Sequence, residues 1–134
     1  MARDDETGAI AAADFFLFDL YPYVELTQDT SNWLAMSHPD CVFCKSVADT
    51  VASERAAGTV TAVASMRKYS VAAREVNPAM FAVTYDVGTG PDERFTRSGT
   101  SLGSTSKVRG TVIVIVVHQS GTWITRGVDL KKRT

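Results

Sequence analysis

The residues whose types and spacing can do chemistry are two cysteines, Cys41 and Cys44, the only ones in the chain, in the string Ser37-His38-Pro39-Asp40-Cys41-Val42-Phe43-Cys44-Lys45. A Cys-x-x-Cys pair opening a helix has several uses. It can close a structural disulfide, the simplest fate of two lone cysteines in an exported domain. It can be a redox centre, because a helix N-terminus stabilises a thiolate. It can supply half of a tetrahedral metal site, with His38 and His118 completing the count. It can also be two buried thiols. The surroundings favour the bridge. Thioredoxin-like motifs follow a strand in a βαβ unit, whereas a helix and a proline turn precede Cys41. His38 is set off by that same turn, and His118 closes a distant strand. A ring this short stabilises by less than the ~2–4 kcal/mol of longer loops, so its role would be to fix the start of a helix.

Other side chains invite weaker functional readings. His118 ends the run Val112-Ile113-Val114-Ile115-Val116-Val117, where it either faces a pocket as acid or base or marks the exit of a strand from the core. Tyr21, Trp33, Tyr85 and His118 together make a candidate pocket lining between helices and sheet, although isolated aromatics are core residues first. Asp19 and Asp86 stand out as carboxylates, without a motif around them. Ser98, Ser101, Ser104 and Ser106 accompany Gly99 and Gly103 and read as turn and edge residues rather than nucleophiles. No catalytic residue and no cofactor motif is assigned.

These side chains must be carried by one domain, since 134 residues suffice for a single core. A hydrophobic fraction of 45% with 22% charged residues is ordinary globular composition. Fourteen Lys+Arg against fifteen Asp+Glu leave a net charge of -1, so no overall field steers the chain to nucleic acid. No apolar run is long enough to cross a bilayer, and the start does not resemble a signal peptide. Export would therefore depend on a signal or lipid-anchor segment that this chain does not contain.

Periodicity orders the elements. Residues 1–7 read as a flexible lead-in, 8–130 as the domain and 131–134 as a basic tail. Ala9, Ala13, Phe16, Leu17, Leu20 and Val24 recur at helical steps, and Pro22 predicts a bend near Asp19. A short helix is expected over Asn32 to Met36. A third follows, capped by Ser37 or Asp40, with Phe43, Val47, Val51 and Arg55 as its buried stripe and Gly58 as its stop. Strands are then expected from Thr59 to Val76, Ala79 to Val87, Arg94 to Leu102, Thr111 to Gln119 and Trp123 to Val128. Helices first and hairpin-linked strands after give an α+β fold and exclude a doubly wound nucleotide-binding domain.

That order resembles the nuclear-transport-factor-like, cystatin-like α+β superfamily. The strings Ala13-Asp14-Phe15-Phe16, Tyr21-Pro22-Tyr23, Thr27-Gln28-Asp29-Thr30, Asp40-Cys41-Val42-Phe43-Cys44 and Ala57-Gly58 further resemble an uncharacterised family of actinobacterial secreted proteins and lipoproteins. The resemblance implies three helices on a strongly curved antiparallel sheet shaped as a cone, an extracytoplasmic place in the cell envelope, and pairing as a homodimer through the outer face of the sheet. The function expected is non-catalytic: binding of a small ligand, a wall component or an envelope protein. The alternatives are a small-molecule isomerase or hydrolase with an acid-base pair in a cavity, and a thiol-disulfide protein using Cys41 and Cys44.

Overall fold

The computed structural model describes residues 5–132. The amphipathic first segment forms helix α1 (Glu6–Asp14), a π-helical stretch (Phe15–Leu20) and helix α2 (Tyr21–Thr27). Every residue of its expected stripe, from Ala9 to Val24, is buried. Pro22 has no N–H to continue the α ladder, and the irregularity lies just ahead of it. The Tyr21 N–H reaches back five residues to the Phe16 carbonyl, which is the wide turn of a π-bulge. The bend read at Asp19 is this turn. It leaves Tyr21 and Glu25 four residues apart on one face of α2.

Helix α3 (Ser31–Ala35) is short, and α4 (Val42–Ala57) is the longest helix. Its N-cap is Cys41, whose Sγ accepts from the Cys44 N–H, rather than Ser37 or Asp40. Gly58, at φ +75, ends it in the left-handed conformation that glycine adopts without strain. The expected stripe holds for Val47 and Val51 but not for Arg55: the buried residue of the last turn is Glu54. Positions three and four beyond Val51 both border that face, and sequence spacing does not choose between them.

Seven strands follow: β1 (Thr59–Ala62), β2 (Arg67–Asn77), β3 (Met80–Thr89), β4 (Glu93–Thr96), β5 (Ser101–Ser104), β6 (Val108–Gln119) and β7 (Thr122–Lys132). Two single expected strands are thus each split in two. The main sheet has the order β2-β3-β6-β7 and is antiparallel throughout; β1-β4-β5 form a separate small sheet. The expected cone is therefore corrected. The sheet is neither closed nor strongly curled. Its long strands pair in nearly continuous register, with bulges only between Lys68 and Ser70, Glu75 and Asn77, and Ile115 and Val116. The polar strands that would have extended and curled it pair among themselves instead. Of the expected lead-in and tail, residues 1–4, 133 and 134 lie outside the described residues. Within them, α1 already begins at Glu6, and Lys131 pairs with Thr111 on β6.

Two apolar clusters hold the layers together. Ala9, Ala12, Ala13 and Leu17 pack on Phe81, Val83, Tyr85, Val112 and Val114 of the sheet. Phe16, Leu20, Val24, Trp33, Val47 and Val51 pack among the helices with Cys41 and Cys44.

Candidate functional site

Cys41 and Cys44 are joined by a disulfide with S–S 2.04 Å, and both are buried. The backbone and ring groups around them are hydrogen-bonded. The Trp33 indole N–H donates to the Cys44 carbonyl at 2.9 Å, and its ring stacks on Phe16 with centroids 4.1 Å apart. Just ahead, the loop is stitched to β7: His38 N–H donates to the Thr125 carbonyl and Thr125 N–H to that of Met36. Arg126 Nη1 lies 3.1 Å from both His38 Nδ1 and Asp40 Oδ2. With both sulfurs in the bridge, neither is a thiolate ligand. Among the described residues no group of three or more His, Cys, Asp and Glu is placed to hold a metal ion.

The other end of α4 is built differently. Glu54 is buried there, and so is Glu25 of α2, whose carboxyl group feels the Glu54 charge. Like charges brought near each other out of water favour keeping a proton on one of them. Burial pushes the Glu25 pKa up to about 7, with the charges of Glu54 and Asp92 adding to the effect. Glu54 Oε2 also accepts from the Thr61 hydroxyl of β1 at 2.6 Å and lies 3.7 Å from Arg94 Nε of β4. Gln28, the C-cap of α2, fixes the pair in place. Its Nε2 donates to the Thr59 carbonyl at 2.7 Å, and Arg97 ties its Oε1 to the carbonyl of Arg55 at the end of α4.

Tyr21 stands one turn before Glu25 and joins two spaces. On one side is an open cleft of about 540 Å³ that includes Glu25, Glu54, Thr61 and Arg94. On the other is a narrower cavity of about 160 Å³, walled by Leu17, Phe43, Met66, Val87, Val112 and Val128, with Thr89 and Asp92 as polar members. Burial, then the charges of Glu25, Asp92 and Glu54, raise the Tyr21 phenol well above its ordinary pKa, so it is a neutral donor at any physiological pH. Asp92 is fixed by the Ala64 N–H on its Oδ1 and by reciprocal bonds with Thr105. Gly90 makes that turn: it has φ +91, and a Cβ there would meet the Ser106 carbonyl at 2.7 Å.

The other residues singled out in the sequence lie elsewhere. Trp33 sits behind Tyr21, ring centroids 6.0 Å apart, inside the helical core. Tyr85 is buried in the sheet core and donates to Asp14 at 2.6 Å. His118 packs edge-on against Trp123 at 5.0 Å, away from Tyr21; its buried Nε2 has no hydrogen-bond partner. Asp19 is exposed, and Asp86 forms an ion pair with Arg109. The four serines are exposed. Sequence reasoning missed Glu25, Glu54 and Asp92. The signal was faint but present: Glu25 follows Tyr21 by four and Val24 by one, and Glu54 follows Val51 by three.

The chain has the fold of a known group of solved structures. The intermembrane-space region of the chloroplast protein ARC6 superposes with TM-score 0.67 at 11% identity, covering 98% of this chain and 99% of the other. A Caulobacter vibrioides protein with a cystatin-like fold gives 0.58 at 11%, covering 96% and 91%. This small α+β domain resembles the cystatin-like fold. A Novosphingobium aromaticivorans protein provisionally named scytalone dehydratase superposes at 0.59 and 15%, covering 94% and 85%. At such identities the likeness is one of fold alone. No family model matches the sequence, and no curated protein matches it. Among the described residues, no helix is long and apolar enough to cross a membrane.

Proposed function

We propose that this domain binds a small, largely apolar molecule in the cavity beside Tyr21 and moves a proton on it, as an isomerase or hydrolase does, with Glu25 and Glu54 as the acid-base pair. The observation that carries the reading is the pair itself: two buried glutamates, the Glu25 pKa pushed up to about 7, in a cleft that meets an apolar cavity at the neutral phenol of Tyr21. Groups with raised pKa values gathered in a cleft are the ordinary preparation for general acid-base work near neutral pH. Glu25 carries the proton, Glu54 takes one up, and Tyr21 supplies a hydrogen bond to an oxygen of the bound molecule. Purely holding a ligand asks nothing of a second buried carboxylate, which is why proton transfer is preferred to the non-catalytic reading.

The bridge supports an extracytoplasmic setting, since disulfides persist in oxidising compartments, and the cell envelope of an actinobacterium is the setting the sequence resemblance favours. Thiol exchange is disfavoured by the burial of both sulfurs. Pairing as a homodimer would use the outer face of the main sheet, where Ile113 and Ile115 stand half-exposed.

The test needs no known substrate. Exchange of the α-protons of cyclohexanone in D₂O, followed by NMR, reports proton abstraction by the site. The rate should exceed that of Glu25→Gln and Glu54→Gln. Equal rates for all three would remove the acid-base reading.

A further inference from the structure

The rim of the cleft that meets this cavity at Tyr21 selects for charge, and the cavity for shape. Glu25 is faced by Glu54 from α4, by Asp92 from the turn before β4 and by Tyr21 on its own helix; Arg94 reaches only Glu54, at 3.7 Å, and is largely exposed. Asp49, at the outer edge of the cleft, is taken up by Lys45 at 2.7 Å. Three carboxyl groups and one partly solvated guanidinium leave the rim short of positive charge. The inner wall adds a second, independent preference. Tyr21 and Phe43, ring centroids 5.9 Å apart, both line the cavity, and aromatic faces attract cations. The space beyond them is apolar and matches the roughly 150 Å³ that accepts a single benzene ring in an engineered core.

We infer that the ligand is a small organic amine, its apolar ring filling the cavity walled by Met66, Val87, Val112 and Val128 and its ammonium lying between Tyr21, Phe43 and the Glu25–Glu54 pair. This names the ligand class of the site proposed above and rests on that cavity being a binding site. Its consequence is a coupling. A cation beside the pair favours the ionised form of Glu25, so binding loosens its hold on the proton it would give up. Anions are rejected by the same field, and neutral molecules gain nothing from it.

Three molecules of one shape separate the outcomes: benzylamine, benzyl alcohol and benzoate, titrated into the full chain by calorimetry at about pH 8 and about pH 5.5. Benzylamine is expected to bind about tenfold or more tighter than benzyl alcohol at the higher pH, as a charge-assisted hydrogen bond allows. That preference should shrink at the lower pH. At the lower pH, where Glu25 still holds its proton, the heat of benzylamine binding should vary with the ionisation enthalpy of the buffer, the signature of a released proton, whereas that of benzyl alcohol should not. Benzoate should not bind. In Glu25→Gln the preference and the proton release should vanish while benzyl alcohol still binds. Benzyl alcohol binding as tightly as benzylamine, or any binding of benzoate, overturns the inference and leaves the cavity standing. Binding of none of the three overturns the cavity as well. A preference for benzylamine together with no ketone exchange would keep the ligand class and sink the chemistry.

Discussion

Helix α4 has two ends, and they obey opposite rules. At its start, Cys41, Cys44, Trp33 and Phe16 form a dry cluster in which the bridge, the indole N–H and the cap are all satisfied. At its finish, Glu54 lies buried, as does Glu25, whose pKa is raised by burial and then by the Glu54 charge. The first arrangement lowers the free energy of the fold and leaves no group available for further bonding. The second raises it, because buried like charges are unfavourable. Such strain persists where the surrounding structure enforces it, here through Gln28, Arg97 and Thr61. The contrast teaches that the conspicuous residues of this chain build it, while the inconspicuous ones are equipped to act.

The sharpest way to break that contrast is to disturb each end separately. Trp33→Ala should cost about 3–5 kcal/mol, the range for emptying a fully buried aromatic site, and thermal denaturation reads it directly. A loss under about 1 kcal/mol would mean the dry end is not structural.

The next effect should have the opposite sign. Glu25 has a folded pKa raised from 4.5 to about 7, so the folded state binds its proton more tightly than the unfolded chain does. The stability this contributes is fully present below about pH 4.5 and is lost as pH rises through about 7. The wild type should therefore lose on the order of 1–2 kcal/mol between about pH 5 and pH 8, allowing for solvent screening. Glu25→Gln should flatten that slope and melt higher than the wild type at about pH 8. A variant that loses stability equally at both pH values would show that Glu25 is an ordinary packing residue.

Removing the bridge with Cys41→Ala and Cys44→Ala together should cost no more than about 2 kcal/mol, given the four-residue ring. It should leave the Glu25 titration unmoved, because sixteen helical residues separate Cys41 from Gly58 and Glu54 is held by its own partners. A shift of that titration would join the two ends into one unit. The smallest effect belongs to Lys45→Ala, which breaks an exposed i,i+4 pair with Asp49 and should change stability by less than about 0.5 kcal/mol.

Much of this was legible in the sequence, for definite reasons. The stripe from Ala9 to Val24 and the stop at Gly58 are local patterns, and both appear in the fold. The shape of the sheet was not legible. Whether β4 and β5 extend the main sheet or pair apart with β1 depends on long-range pairing that no local period encodes. The site was hidden for a related reason. Glu25 and Glu54 are 29 positions apart and meet only through packing of α2, α4 and β1, and a buried glutamate in a helical stripe looks like an error of phase. Tyr21 was the visible part, being aromatic and beside a proline. Trp33, Tyr85 and His118 shared its chemistry but lie in the core or at a strand end.

Buried Glu25, close to the charge of Glu54, keeps its proton into the neutral range. Carbon-13 NMR of the glutamate carboxyl groups, followed from about pH 4 to pH 9, reads it directly. The account predicts a Glu25 midpoint near 7 that falls toward the ordinary glutamate range in Glu54→Gln. A wild-type midpoint near 4.5 would contradict it.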